Sequence, residues 1–233
     1  MKMKKIVQLI RNNATRIAPV IRSETEPETL FLYDVIDPYW GVGAAAFNKE
    51  LAGMHGKKVT LRVNSPGGDV FDGRAMAAAI AQHGNVHAVI EGLAASAATY
   101  VTAACATVTI AAGSFYMIHN AWTMAYGNKD DLTETAALLG KIDESIVADY
   151  MRKTGKAKDE IAAWMNAETW FTADEAVANG FVDSVVDNAK VENKWNLSAY
   201  ANAPKIEPDE DTAPHWEAVR QRNLNRLRLH EIG

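Results

Sequence analysis

A long segment without charged side chains constrains the fold more than any other feature of this sequence. Residues 92–128 contain no Asp, Glu, Lys or Arg, and a segment of that length could cross a bilayer. Residues 94–110, however, are mostly Ala and Thr, and few of them are the Leu, Ile, Val or Phe side chains that insert favourably into membranes. We therefore expect a helix and a strand that are buried inside a folded protein.

The composition is that of an ordinary globular protein. The chain has 233 residues, of which 48% are hydrophobic and 23% are charged, and this argues against global disorder, a collagen-like repeat or a coiled coil. Its formal net charge of -5 gives no electrostatic footprint for nucleic acid. Arg11 interrupts the short apolar run that follows the N-terminal lysines, so we expect neither a signal peptide nor a membrane partner.

The cysteine and histidine patterns also exclude several kinds of site. Cys105 is the single cysteine, which excludes an intrachain disulfide and is typical of a reducing compartment, so we expect a cytoplasmic protein. The sequence contains no His-Glu-x-x-His or similar metal-ligand spacing, and we expect neither a metal nor a cofactor.

Strand and helix patterns alternate along the chain, which predicts one α/β domain over residues 31–187. An N-terminal arm (1–30) precedes it. A polar C-terminal tail (188–233) follows it, and both a flexible, solvated segment and a docking or self-cleaving segment remain open for this tail. The predicted strands are 31–37, 58–64, 86–91, 107–111, 115–119 and 181–186, and the predicted helices are 43–54, 70–82, 96–104, 130–153, 157–166 and 172–179.

Gly67 and Gly68 lie between a predicted strand and a predicted helix. Glycines at such a turn allow backbone N–H groups to face an anionic ligand, although a tight turn without a ligand looks the same in sequence. Neither a P-loop nor the Gly-x-Gly-x-x-Gly dinucleotide fingerprint is present at this turn.

Ser96 opens the small-residue helix of the uncharged segment. A serine at this position is commonly an N-cap, but its small neighbours would also admit a substrate carbonyl to the hydroxyl. The amides of Ala97 and Gly68 could then form an oxyanion hole. The surrounding residues do not match the Gly-x-Ser-x-Gly elbow of α/β-hydrolases.

His119 is the one histidine within the uncharged segment. It could be a buried histidine that only makes a hydrogen bond to a carbonyl group. Alternatively, it could be the general base of a serine nucleophile, and that role would also need a carboxylate to orient the imidazole. Cys105 is expected to be a packed core thiol. The candidate carboxylates are Asp130, Asp131, Asp159, Glu160 and Glu168.

Together these motifs resemble the Clp-type serine peptidases (ClpP) over about residues 31–187. The resemblance implies a ClpP/crotonase-like α/β fold, with a repeated β-β-α superhelical core and a long handle helix for ring assembly. It also implies that Ser96 is the nucleophile, His119 the general base, and Gly68 and Ala97 the oxyanion-hole donors. The matching motifs are Asn-Ser-Pro-Gly-Gly at 64–68, Ala-Ala-Ser at 94–96, Met-Ile-His at 117–119, and Thr-Ala-Asp-Glu-Ala at 172–176 with Gly180 and Asp183.

The third member of the triad departs from the family pattern. The family has an aspartate where this sequence has Glu168, whose side chain is one methylene longer. We assign Glu168 as the orienting acid and keep Asp159 in reserve, and a dyad without an effective acid also remains open.

Within the family, residues 64–73, 118–122 and 168–170 resemble the ClpP-related head maturation proteases of tailed phages and prophages. That resemblance implies an ATP-independent endopeptidase that forms a homo-oligomeric ring through helix 130–153 and cleaves scaffold and capsid proteins, in the prohead or the bacterial host cytoplasm. The alternatives are a housekeeping peptidase that works with an ATPase unfoldase, a crotonase-type acyl-CoA enzyme, and a non-catalytic ring scaffold on the same fold.

Overall fold

A parallel sheet organises the molecule in the computed structural model, which describes residues 21–187 and 195–204. The strands are β1 (Thr29–Leu32), β2 (Val59–Ser65), β3 (Val86–Ala95), β4 (Thr107–Ala111), β5 (Phe115–Ile118), β6 (Thr169–Thr172) and β7 (Ser184–Val186). The helices are α1 (Ala44–Ala52), α2 (Val70–His83), α3 (Ala97–Ala103), α4 (Lys129–Thr154), α5 (Lys158–Asn166) and α6 (Ala173–Ala178).

Strand β3 divides the sheet into two branches. Its first half pairs in parallel with β4, which continues the order β1-β2-β3-β4-β7. Its last residues, from Leu93 to Ala95, pair in parallel with β5, and β5 pairs antiparallel with β6. Gly92 lies at the division with φ +119, a conformation that glycine adopts without a steric penalty. The division brings the carboxyl ends of β3 and β5 side by side.

Burial of the uncharged segment confirms the first expectation from the sequence. The α3 residues from Ala97 to Thr102 are all buried, and Val108 and Ile110 of β4 are completely buried. Small side chains suit this position because they allow a helix to pack closely on its neighbours. In the part of the chain that the structure describes, no helix is long and apolar enough to cross a membrane.

The long helix α4 is mostly exposed. A capping box between Asn128 and Asp131 fixes its start, and Gly155 in the left-handed conformation ends it. Its buried residues, Ile146, Val147 and Tyr150, all lie in the second half. The first half therefore projects beyond the core, as expected for a handle helix.

The α/β fold class is confirmed, but several element boundaries are wrong. Strand β1 ends at Leu32 rather than at 37, and β3 continues to Ala95 because its second half pairs with β5. Strand β6 was not predicted, since it consists of four residues that are held by β5 alone. Strand β7 is shorter than predicted, because Phe181 and Val182 pack into the core before the strand begins.

Part of the predicted tail belongs to the domain surface. Residues 195–203, called here the C-terminal segment, are in the same compact unit as the sheet. Leu197, Ala199 and Tyr200 of this segment form a second apolar cluster with β3 and β5. The remainder of the tail, with its acidic and basic stretches, and residues 1–20 of the predicted arm lie outside the described residues.

Candidate active site

Ser96 joins β3 to α3 in a conformation that is rare for a residue with a side chain. Its φ is 53° and its ψ is -126°, and such conformations are found preferentially at functional sites, where the surrounding structure compensates for the strain. The Ser96 amide donates to the carbonyl of Met117 at 2.9 Å. The hydroxyl makes no capping hydrogen bond to α3, so the N-cap interpretation is wrong and the side chain is available for chemistry.

His119 immediately follows β5, beside the end of β3. The pairing of Ala95 with Met117 aligns the two strand ends. His119 Nε2 lies 2.8 Å from Ser96 Oγ, which is within the range required for direct proton transfer. A non-catalytic scaffold would have been favoured if Ser96 and His119 were too far apart to interact. The observed distance does not meet that condition.

The Gly67–Gly68 turn packs directly against Ser96. Gly67 has φ +84, and a Cβ there would lie 2.5 Å from the Ala95 carbonyl oxygen and 2.7 Å from Ser96 Cβ. A Cβ on Gly68 would lie 2.1 Å from the Ile36 carbonyl oxygen. The absence of a side chain at Gly67 allows the turn to approach the serine, and its absence at Gly68 allows the turn to pack against Ile36.

The amides of Gly68 and Ala97 have no protein acceptor within residues 21–187 and 195–204. Ala97 N is 2.9 Å from the position that a Gly67 Cβ would occupy, so the turn and the start of α3 are in close contact. Two free amides beside a serine hydroxyl are the arrangement that an oxyanion hole requires.

His119 and Glu168 each lie one residue beyond the last pair of the β5–β6 register. In the antiparallel β5–β6 pair, Ile118 is opposite Thr169, so the next positions across the pair are His119 and Glu168. Glu168 is 8% exposed and has φ +50. The other candidate carboxylates, Asp130, Asp131, Asp159 and Glu160, are all exposed.

Cys105 is buried, as expected for a packed core thiol. Its Sγ donates to the Val101 carbonyl at 3.7 Å, and burial raises the pKa of the thiol to about 12. A thiol that stays protonated is a poor nucleophile.

A groove of about 270 Å³ opens beside the Gly68 amide. Residues 68–71 and 121–124 form its two walls, and the side chains of Leu138, Leu139 and Ile142 of α4 form an apolar floor. The groove can therefore hold an extended segment with an apolar side chain beside the Gly67–Gly68 turn.

The comparison with protein families agrees with this geometry. The family model described as Clp protease matches residues 50–189. The chain belongs to the Clp protease family. Members of this family are serine-type peptidases, which are hydrolases, and they form homo-oligomeric rings that act on protein substrates. This family membership disfavours the crotonase-type alternative.

Individual Clp proteases are also similar to this chain. The ATP-dependent Clp protease proteolytic subunit 1 of Prochlorococcus marinus is 30% identical over 141 residues, which cover 59% of this chain and 71% of the relative. The ATP-dependent Clp protease proteolytic subunit of Streptococcus suis is 28% identical over 148 residues, covering 58% and 71%.

A solved structure of a Clp protease confirms the fold. A point mutant of ClpP1 from Listeria monocytogenes superposes with a TM-score of 0.61 at 22% sequence identity, and the match covers 69% of this chain and 92% of that one.

Sequence reasoning missed two residues that contact the site, Tyr200 and Asn202. Both follow the predicted domain, in the segment interpreted as a tail. The aromatic and small side chains among residues 195–203 were the available signal, because a purely solvated tail has little use for buried aromatic residues.

Proposed function

We propose that this chain is a serine endopeptidase in which Ser96 is the nucleophile, His119 the general base and Glu168 the orienting acid. The observation that carries the proposal is the 2.8 Å contact between Ser96 Oγ and His119 Nε2. The burial of Glu168 and its register position opposite His119 support its role.

The reaction proceeds through an acyl-enzyme. Ser96 Oγ attacks the scissile carbonyl carbon while His119 Nε2 takes the hydroxyl proton, and the amides of Gly68 and Ala97 bind the oxygen that becomes negative. His119 then gives the proton to the leaving amine as the C–N bond breaks. A water molecule, deprotonated by His119, attacks the acyl-enzyme and releases Ser96.

The groove beside Gly68 positions the substrate in this mechanism. Its two backbone walls suit an extended peptide, and its apolar floor favours an apolar side chain next to the scissile bond. We expect the chain to assemble as a homo-oligomeric ring through α4, whose first half is exposed.

Two modes of substrate delivery are compatible with this chemistry. The named relatives are proteolytic subunits of ATP-dependent Clp proteases, and this supports delivery by an ATPase unfoldase better than an ATP-independent role. Head maturation, with scaffold and capsid proteins as substrates, is the second candidate. The Asn-Ala-Trp sequence after the histidine, residues 120–122, favours it.

Labelling with a fluorophosphonate probe tests the chemistry directly, because an activated serine reacts with such probes rapidly. We expect one adduct by intact mass on the wild-type chain and none on Ser96→Ala. Glu168→Gln should label more slowly than wild type with little loss of stability, since the amide cannot balance the imidazolium charge. An absence of labelling in the folded wild-type protein would refute the proposal.

A separate assay distinguishes the delivery modes. A folded reporter protein is incubated with the wild-type chain, with and without a Clp ATPase and ATP, and in parallel the chain is co-expressed with phage scaffold and capsid proteins. Cleavage of the reporter only in the presence of the ATPase and ATP supports the first candidate. Cleavage of scaffold protein without any ATPase supports head maturation.

A further inference from the structure

The C-terminal segment, residues 195–203, covers the face of the sheet from which Ser96 and His119 emerge. Its apolar side chains pack on Leu93 and Ala95 of β3 and on Met117 of β5. Trp195 anchors one end of the segment, where its Nε1 donates to Asn64 Oδ1 at 2.6 Å. The segment therefore forms part of the surroundings of the site.

Tyr200 is the residue of this segment that contacts His119. Its hydroxyl donates to the carbonyl of Pro66, which precedes the Gly67–Gly68 turn. Its ring meets the His119 ring edge to face, with the centroids 5.6 Å apart. Tyr200 thus contacts the base and the residue that precedes the turn at the same time.

The ionisation of Tyr200 suits a hydrogen-bond donor. Burial raises the pKa of its phenol, and the charge of Glu168 adds to that rise. The phenol therefore stays protonated at neutral pH.

Asn202 holds the carboxylate of Glu168. Its backbone N–H donates to Glu168 Oε1 at 2.7 Å, and its side-chain Nδ2 donates to the carbonyl of Ala167, also at 2.7 Å. Glu168 has a positive φ, which is costly for a residue with a side chain. The two bonds from Asn202 fix both the carboxylate and the strained turn that carries it.

The segment leaves the substrate groove open. All residues that line the groove beside Gly68 lie between 68 and 142, and none belongs to residues 195–203. The segment therefore contacts the catalytic groups without entering the groove, which distinguishes it from an inhibitory strand that fills the cleft.

We infer that the C-terminal segment completes the active site, with Tyr200 as a positioning residue for His119 and the Gly67–Gly68 turn, and Asn202 as a positioning residue for Glu168. This inference rests on the proposed function, because it concerns the same catalytic residues. It extends the functional unit beyond residue 187 and makes the segment necessary for full activity.

The test measures the rate of fluorophosphonate labelling against pH for full-length variants. Tyr200→Phe removes only the hydroxyl, and we expect it to label about tenfold more slowly than wild type. Asn202→Pro removes the backbone donor to Glu168. It should also move the acid limb of the profile to lower pH, because a displaced carboxylate no longer stabilises protonated His119.

Two further variants separate positioning from folding. Asn202→Ala keeps the backbone N–H, so it should lose less rate than Asn202→Pro. Ser198→Ala changes an exposed residue of the same segment that bonds to Asn196, and it should label at the wild-type rate. Thermal unfolding of each variant shows that it is folded, and if Asn202→Pro does not fold, Tyr200→Phe decides.

The outcomes are distinct. A wild-type chain that does not label refutes the proposed function itself. A wild type that labels together with a Tyr200→Phe that labels equally fast refutes the positioning role alone. Faster labelling of Tyr200→Phe would also overturn the inference, because it would mean that Tyr200 restrains the serine.

Discussion

At the scale of single residues, the site depends on backbone positions that tolerate almost no substitution. Ser96 and Glu168 are the two residues other than glycine with positive φ in the part of the chain that the structure describes, and both belong to the proposed triad. Strain at such positions persists only where the surrounding structure enforces it. Here the Gly67–Gly68 turn and the C-terminal segment provide that enforcement.

Gly67→Ala tests whether the Gly67–Gly68 turn requires a residue without a side chain. A Cβ at Gly67 would lie 2.5 Å from the Ala95 carbonyl oxygen, and φ is +84, so we expect the free energy of unfolding to fall by about 3 kcal/mol or more. Gly56→Ala is the matched control, because Gly56 also has positive φ but a Cβ there meets nothing within 4 Å. It should cost only about 1 kcal/mol. Equal losses in urea unfolding of the two variants would contradict the packing argument.

Cys105 provides a second prediction at this scale. Because burial raises the pKa of its thiol to about 12 from an ordinary 9.0, the thiolate at pH 8 is about a thousandfold scarcer than that of an exposed thiol. Iodoacetamide should therefore leave the native chain almost unmodified, as measured by intact mass, and should react readily in denaturant. Rapid native modification would show that the thiol is accessible.

At the scale of elements, α4 depends on its caps more than most helices do, because little of it is buried. Asn128 Oδ1 accepts from the amides of Asp130 and Asp131, and Asp131 Oδ2 accepts from the Asn128 amide. These bonds satisfy donors that would otherwise lack partners at the helix start. The start of the projecting half of α4 is therefore stabilised by hydrogen bonds between neighbouring residues of the cap.

Asn128→Ala should fray this helix start. We expect the loss of about 1 kcal/mol, which hydrogen exchange would detect as faster exchange of the amides of residues 130–132. Thr133→Ala is the control, since Thr133 lies within the same helix and its hydroxyl bonds only to the Lys129 carbonyl. If both variants exchange alike, the capping box contributes nothing to the helix start.

At the scale of the whole molecule, the exposed half of α4 is the surface that we expect to join copies of the chain. Leu132 on this helix is 45% exposed and does not line the substrate groove. Exposed leucines on a projecting helix favour burial against another protein surface.

Leu132→Asp should shift the protein toward smaller species in sedimentation velocity, because a charge cannot be buried in an apolar interface without a partner. Ser145→Asp adds the same charge at an exposed position of α4 and should leave the sedimentation profile unchanged. Identical profiles for both variants would place the interface elsewhere.

The α/β class, most helix boundaries and the candidate residues Ser96 and His119 could be predicted from the sequence. These features are local, so each can be predicted from a few neighbouring positions. They include the strand and helix periods, Gly84 and Gly155 at helix ends, and the small residues around the serine. Family motifs then added Gly68, Ala97 and Glu168 as expectations.

How these residues meet depends on contacts between segments that are far apart in the chain. The division of β3 between β4 and β5, the existence of β6, and the register that sets Glu168 opposite His119 all result from pairing between distant segments. The docking of Tyr200 and Asn202 joins residues still further apart in the chain. Such contacts depend on which surfaces remain exposed after the core has formed. No local sequence pattern predicts which surfaces those are.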